Sequence, residues 1–113
     1  MAFLNRHNIT AASGTTAGPI NLISSGENAG RLKSILLTNV HASNSVAVNL
    51  FIYNSTSATT THIIKNVSIP SGVSLELDLS EISINTSKNN DSLVIKITQT
   101  DIANGGVDVI INK

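Results

Sequence analysis

The stretch from Arg31 to Tyr53 places the strongest constraint on how this chain can fold. In its second half, every other position is apolar, namely Val46, Val48, Leu50 and Ile52. Such alternation is typical of a strand with one buried face. The first half is apolar on both faces around Ile35–Leu37, as in a strand that is covered on both sides. With the polar break at Ala42–Ser45 between them, the two runs predict an antiparallel pair in the middle of a sheet.

Short apolar runs recur along the rest of the chain. The run Thr60–Ile69 shifts its apolar phase part-way, which predicts a β-bulge near Lys65–Asn66. Turn residues separate the runs about every ten to twelve positions, and no helical period is evident. About six to eight short strands of this kind predict an all-β fold, a single antiparallel β-sandwich that is immunoglobulin-like or jelly-roll-like. The predicted inward-facing residues are Leu36, Val46, Val48, Leu50, Ile52, Ile63, Val73, Leu75, Leu77, Leu93, Ile95, Ile97, Val107 and Val109.

The beginning of the chain differs in character from the remainder. A small, flexible segment, Ala11–Gly18, interrupts two weakly patterned strands. The predicted organisation is therefore an extended N-terminal arm over residues 1–30 and a β-sandwich domain over residues 31–113. Such an arm either contacts a neighbouring subunit or pairs with the domain's own sheet, and the sequence leaves both alternatives open.

The small number of charged residues limits the kinds of partner that this chain is expected to bind. The formal net charge is zero and 12% of the residues are charged, without the basic stripe that a nucleic-acid binder uses against phosphates. No apolar run approaches the ~20 residues of a membrane span, and the N-terminus lacks a signal-peptide pattern. We therefore expect neither a nucleic-acid nor a membrane partner. Low charge also disfavours a free monomer and favours a place within an assembly.

The residues that could carry chemistry form no recognisable motif. The chain has no cysteine, which excludes disulfides, thiolate metal sites and cysteine nucleophiles. His7, His41 and His62 have no second ligand at metal-binding spacing, and we interpret them as surface or rim residues. Asn89–Asp91 and Asp101–Asn104 could offer oxygens to calcium, but turns use the same residues for local hydrogen bonds. The sequence predicts no enzyme activity, no cofactor, and no catalytic or metal-binding residue.

Aromatic side chains are scarce, with two phenylalanines, one tyrosine and no tryptophan. This counts against a stacking platform for sugars or single-stranded nucleic acid. Phe51 and Tyr53 share the face opposite the apolar set of Val46–Ile52. They form either an interface patch or the second buried face of a central strand.

Four segments resemble a known group of proteins. They are Lys33–Ala42, Val46–Tyr53, His62–Leu77 with its Ile-Lys-Asn-Val-Ser-Ile-Pro-Ser-Gly sequence, and a closing Val-Asp-Val-Ile at Val107–Ile110. In this order they resemble the small virion structural proteins of tailed phages, especially phages of marine and cyanobacterial hosts. The resemblance covers about residues 31–112 and does not include the preceding arm.

This resemblance implies a non-enzymatic structural component of the virion, made in the host cytoplasm. A head decoration or cement protein is the first expectation, and a neck, collar or tail accessory protein is the second. The implied partners are other virion proteins, such as the major capsid protein or neck and tail proteins, together with further copies of the chain in a homo-oligomer. The alternative from a different class is a soluble glycan- or calcium-binding β-sandwich module.

Overall fold

The computed structural model describes residues 4–24, 32–80 and 90–112 of the 113-residue chain. Within these ranges the chain forms eight strands and a single 3₁₀ turn at Ile102–Asn104. The strands are β1 (Leu4–Ile9), β2 (Thr16–Ile23), β3 (Ser34–Asn39), β4 (Val46–Asn54), β5 (Thr59–Ile69), β6 (Ser74–Asp78), β7 (Asp91–Thr98) and β8 (Val107–Asn112).

The strands form two four-stranded sheets that enclose one core. Sheet 1 has the order β1-β8-β3-β6 and sheet 2 has the order β2-β7-β4-β5, and every pairing is antiparallel. The predicted all-β antiparallel sandwich is therefore confirmed. Of the two predicted kinds, the structure has the jelly-roll arrangement. Its eight strands form two four-stranded sheets, and the chain crosses repeatedly from one sheet to the other. An immunoglobulin constant domain instead has seven strands, four in one sheet and three in the other.

The core follows the period of two that strands impose. Eight of the predicted inward residues are buried: Val46, Val48, Leu50, Leu93, Ile95, Ile97, Val107 and Val109. Four others are only half-buried: Ile52, Ile63, Leu75 and Leu77. Two predictions are wrong. Val73 precedes β6 and is 44% exposed, and Leu36 is half-buried on the outer face, because Ile35 and Leu37 are the fully buried residues of β3.

The predicted antiparallel pair within residues 31–53 is also wrong. β3 lies between β8 and β6 in sheet 1, whereas β4 lies between β7 and β5 in sheet 2. Both strands are interior, as their apolar content indicated, but the segment 40–45 carries the chain across the core from one sheet to the other. Among the described strands, only β4 and β5 are consecutive in sequence and paired.

The N-terminal strands belong to the sandwich of their own chain. β1 pairs with β8 at one edge of sheet 1, and β2 pairs with β7 at one edge of sheet 2. Of the two alternatives for the arm, residues 4–23 therefore follow the one in which the domain's own sheets hold it. The predicted boundary at residues 30–31 lies outside the described residues.

The bulge predicted in β5 is confirmed. Val48 pairs with Val67 and Leu50 pairs with Ile64, so the two intervening steps of β4 face three steps of β5. The extra residue falls at Lys65–Asn66, where Asn66 has a left-handed φ of 52°. The Asn49 side chain supports the bulge, because its Oδ1 accepts the Asn66 amide at 3.0 Å. Bulges of this kind protect an edge strand from pairing with another chain.

Two glycines with positive φ provide a test of how tightly β1 packs on the start of β8. Gly106 (φ 98°) is buried, and a Cβ there would collide with the Ile9 carbonyl oxygen, whereas Gly14 (φ 83°) has open space around it. We expect Gly14→Ala to cost about 1 kcal/mol from backbone strain alone. Gly106→Ala should cost at least ~3 kcal/mol, because the β1 backbone must move as well. Urea unfolding of both variants measures the difference, and equal losses would contradict the packing.

Candidate functional site

Four loops gather at one end of the sandwich, which we call the loop end. They are residues 10–15, 40–45, 70–73 and 99–106, which connect β1 to β2, β3 to β4, β5 to β6, and β7 to β8. Backbone hydrogen bonds join them: Gln99 donates to the Thr15 carbonyl at 2.8 Å, and Gly72 donates to the Asn39 carbonyl at 3.0 Å. The Ser71 hydroxyl also donates to the His41 carbonyl at 2.8 Å.

Asn39 and Gln99 form the centre of the loop end. Both side chains are almost fully buried, at 0% and 2% exposure. Gln99 Nε2 donates to Asn39 Oδ1 at 2.9 Å, and Gln99 Oε1 accepts the Gly106 amide at 2.7 Å. Asn39 Nδ2 donates to the carbonyls of Ile69 and Asn44, each at 2.9 Å. Two amide side chains therefore satisfy backbone groups of the 40–45 loop, the 99–106 loop and the end of β5 at once, which their burial requires.

His41 completes the cluster. The prediction that His41 is a surface or rim residue is wrong, because the residue is only 5% exposed. Its Nδ1 accepts the backbone amides of Ser43 and Asn44 at 3.1 and 3.0 Å. These two donors place the proton of a neutral ring on Nε2. Nε2 lies 3.5 Å from Oδ2 of Asp101, whose own backbone is left-handed at φ 58°.

The surroundings of His41 define what the ring can do chemically. A general base needs a free lone pair within reach of a substrate proton. In the neutral ring, the lone pair is on Nδ1 and already accepts two backbone amides of the 40–45 loop. Gly105 packs so closely on the ring that a Cβ there would lie 2.6 Å from His41 side-chain atoms. The imidazole thus holds the 40–45 and 99–106 loops together.

The other two histidines lie elsewhere in the fold. His7 is half-buried on β1, and its buried Nε2 has no hydrogen-bond partner among the described residues. His62 is exposed on β5 of the other sheet, and its ring centroid lies 5.3 Å from that of Phe51. Within the described ranges, no three His, Asp or Glu side chains are grouped as metal ligands.

The described residues of the two segments considered for calcium use their side chains in hydrogen bonds to other side chains. Asn104 Nδ2 donates to both carboxylate oxygens of Asp101, at 3.0 and 3.1 Å. Asn90 Nδ2 donates to Thr56 Oγ1 at 2.7 Å, and Asp91 Oδ1 accepts from Asn54 at 2.8 Å. The Asp101–Asn104 contact is the local turn bonding that the sequence favours, whereas Asn90 and Asp91 bond to side chains 34 and 37 positions away in the sequence. Asn89 lies outside the described residues.

A polar depression lies at the opposite end of sheet 2. It has a volume of about 340 Å³, and its lining residues are Ile52, Asn54, Ser57, Thr59, Thr61 and Asp91. Ile52, Asn54 and Asp91 continue the inward-facing positions of β4 and β7, so the inner face of the sheet changes here from apolar to polar. Hydroxyls, an amide and a carboxylate at one place can bind a polyhydroxylated ligand or a cation.

Phe51 and Tyr53 lie on the outer face of sheet 2. Tyr53 is 37% exposed and Phe51 is half-buried against His62. Tyr53 therefore does not belong to a second buried face, which was one of the two alternatives for this pair. In the parts of the chain that the structure describes, no helix is long and apolar enough to cross a membrane.

Comparison with known proteins adds little to this geometry. No protein-family model matches the chain, and no curated protein matches it in sequence. One solved structure, the Yersinia pseudotuberculosis-derived mitogen, aligns with 100% of this chain and 85% of its own length. Its TM-score is 0.41 and its sequence identity is 9%.

No sequence motif marks Gln99 or Asn39 as a candidate site residue. One local signal is available: Asn39 ends β3 after the apolar Ile35 and Leu37, and Gln99 directly follows β7 after the apolar Leu93, Ile95 and Ile97. A polar residue in that position needs a partner inside the protein. The partners themselves are 60 residues apart and meet only after the sheets have formed.

The loop end makes a first prediction about stability. Gln99→Met keeps the length of the side chain but leaves the buried Gly106 amide without its acceptor, which should cost about 2–3 kcal/mol. Asn104→Leu is the matched control, because it removes only exposed hydrogen bonds to Asp101 and should change stability by less than ~0.5 kcal/mol. Urea unfolding measures both variants. A Gln99→Met loss no larger than that of the control would show that the buried bonds contribute nothing.

Asp78 at the end of β6 makes a second prediction. The Ser80 hydroxyl and then the Ser80 amide donate to its Oδ1, at 2.6 and 2.8 Å, and these bonds lower the pKa of the carboxyl. A lowered pKa in the folded state stabilises the protein above the unfolded-state pKa, and this contribution is lost as the pH falls through the folded-state pKa. Ser80→Ala should raise the pKa of Asp78 towards its ordinary value in an NMR titration. Ser74→Ala, whose hydroxyl contacts Thr38 instead, should leave it unchanged.

Proposed function

We propose that this chain is a non-enzymatic structural component of a tailed-phage virion, acting as a decoration or cement protein on the head. The alternative is a neck, collar or tail accessory protein of the same particle. The proposal is supported by the resemblance of residues 31–112 to small virion structural proteins, and by the jelly-roll strand order, which occurs in viral capsid domains as well as in lectins and cupins.

The observation that carries the proposal is the use of the buried polar side chains at the loop end. Asn39, His41 and Gln99 are all buried. Asn39 and Gln99 donate to backbone carbonyls of other segments, at Ile69 and Asn44, and His41 accepts two amides of its own loop. A cluster of this kind makes the loops rigid. A rigid domain suits a protein that must bind at many identical positions on a particle. The compact shape, with a radius of gyration of 13.7 Å, serves the same purpose.

The proposed partners follow from this role. They are the major capsid protein or neck and tail proteins, together with further copies of the chain in a homo-oligomer. Contacts between such small domains are individually weak, but repetition over many copies makes retention on a particle strong.

The experiment is to purify particles of the virus that encodes this chain and to measure the copies of the chain per particle by quantitative mass spectrometry. A constant copy number that survives density-gradient purification supports the proposal. Particles that lack the chain, although the infected-cell lysate contains it, would overturn the proposal. Immunogold labelling of the same particles separates head from neck or tail positions.

The polar depression between β4, β5 and β7 favours a second candidate function, the binding of a glycan or a calcium ion. Its carboxylate, amide and hydroxyl groups have the chemistry for either ligand. Melting temperature with and without calcium, and binding to a glycan array, test this candidate. A response that Asp91→Asn abolishes and Asp108→Asn preserves would establish it, because Asp108 lies on the outer face of the other sheet.

A further inference from the structure

The sequence contains one Asn-Gly dipeptide, Asn104–Gly105, and it lies in the 99–106 loop of the loop end. Asn104 is the last residue of the 3₁₀ turn Ile102–Asn104, and its side chain is exposed. Gly105 packs against the side chain of His41. The dipeptide therefore joins an exposed amide side chain to the backbone of the buried cluster.

An asparagine that precedes a glycine is chemically labile, because its side chain can react with the next backbone nitrogen. The Gly105 nitrogen attacks Asn104 Cγ and gives up its proton, a C–N bond forms, and the side-chain nitrogen leaves as ammonia. Water then opens the resulting cyclic imide at either of its carbonyls, which yields aspartate or isoaspartate. The reaction consumes one water molecule, releases one ammonia molecule and needs no oxidant. Glycine favours the attack because it has no side chain that hinders its nitrogen.

The folded turn holds both of the reacting groups. The Gly105 amide donates to the Ile102 carbonyl at 3.1 Å. Asn104 Nδ2 donates to both carboxylate oxygens of Asp101, at 3.0 and 3.1 Å. These bonds must break before the Gly105 nitrogen reaches Asn104 Cγ, so the reaction passes through a local opening of the turn. A short 3₁₀ turn has poorer hydrogen-bond geometry than an α-helix, and an exposed turn of this kind opens at low cost.

Asn8 provides a comparison within the same chain. Its side chain is also exposed, and its Nδ2 also donates to a carboxylate, Asp108 Oδ1, at 2.6 Å. The residue that follows is Ile9, whose β-branched side chain hinders the approach of its nitrogen. Exposure and a carboxylate partner are therefore shared, and the residue that follows the asparagine is the difference.

Either product changes the contact with Asp101. The Asn104 amide donates two hydrogen bonds, whereas the carboxylate that replaces it has no proton to donate. The new carboxylate also has the same charge as that of Asp101, and the two repel each other. The turn therefore loses the side-chain bonds that join its two ends.

Isoaspartate has a second effect, because its main chain runs through the side-chain carbons and is one methylene longer. Gly105 has no room towards His41, since a Cβ there would lie 2.6 Å from side-chain atoms of that residue. The next residue, Gly106, donates its amide to Gln99 Oε1 at 2.7 Å and accepts the Val40 amide at 3.2 Å. Lengthening the chain just before Gly105 therefore displaces the groups that join the 99–106 loop to the 40–45 loop.

We propose that Asn104 is a site of spontaneous deamidation, and that the isoaspartate formed there loosens the loop end. The reaction needs only water, and the ammonia is lost to the solvent, so the extent of modification grows with the age of the protein. This inference depends neither on the virion role nor on the glycan or calcium candidate, because it concerns the chemistry of the chain itself.

The test ages the purified full-length chain at physiological pH and temperature in water enriched in heavy oxygen. Peptide mass spectrometry identifies each asparagine that has gained a labelled carboxyl oxygen, and fragmentation distinguishes isoaspartate from aspartate. Asn104 should convert, and Asn8 should remain an asparagine. Amide hydrogen exchange at His41 and Gly106 should be faster in the aged chain than in the fresh chain.

Asn104→Gln is the matched control. It keeps an exposed amide at this position, but the longer side chain would have to close a larger and less favourable ring. The aged Asn104→Gln chain should therefore keep the slow exchange of His41 and Gly106. A fresh Asn104→Asp chain adds the charge without lengthening the main chain, and it should exchange more slowly at these amides than the isoaspartate form.

Four results would overturn the proposal. They are an Asn104 that stays unmodified in the folded chain, a modified chain whose His41 and Gly106 amides exchange as slowly as before, an aged Asn104→Gln chain that loosens equally, and a fresh Asn104→Asp chain that exchanges as fast as the isoaspartate form. Because Asn104 is exposed, circular dichroism should show that both variants are folded.

Discussion

The hydrogen bonds that join Gln99 to Asn39 and to the Gly106 amide are the contacts on which one whole end of this sandwich depends. A jelly roll requires the chain to cross between two sheets repeatedly, and each crossing leaves a loop whose backbone groups lack ladder partners. At the loop end, two buried amide side chains and one buried imidazole provide those partners. The two sheets can therefore close over the core without leaving buried amides unsatisfied.

The same arrangement explains why the segment 40–45 crosses the core instead of turning back as a hairpin. Asn39 and His41, at its beginning, bind groups of Asn44 near its end, so the segment is held in one conformation between two sheets. The outer faces, by contrast, contain no such cluster among the described residues and are available for contacts. A rigid interior and open faces are the combination that the proposed structural role requires.

The sequence predicted the parts of the fold that local pattern determines. Alternation located the buried faces of β4, β7 and β8, and a phase shift located the bulge at Lys65–Asn66. The prediction of buried residues is wrong where the pattern is ambiguous. Because β3 is apolar on both faces, the pattern does not distinguish Leu36 from Ile35 and Leu37, which are the residues in the core. The sheet to which a strand belongs depends on pairing between residues far apart in the sequence. The hydrogen-bond partners of Asn39 depend on the same long-range pairing. For that reason the sequence predicted neither the crossing nor the loop-end cluster.

Amide hydrogen exchange at the loop end tests the central claim, that buried side chains make these loops rigid, most directly. The amides of His41 and Gly106, bound to Asn39 Oδ1 and Gln99 Oε1, should exchange as slowly as the amides of the central strands. The amides of Thr56 and Ser57 are an internal reference, because they bind the Asn54 side chain in an exposed turn and should exchange fast. If the amides of His41 and Gly106 exchanged as fast as these, the loop end would not be rigid and the account would be contradicted.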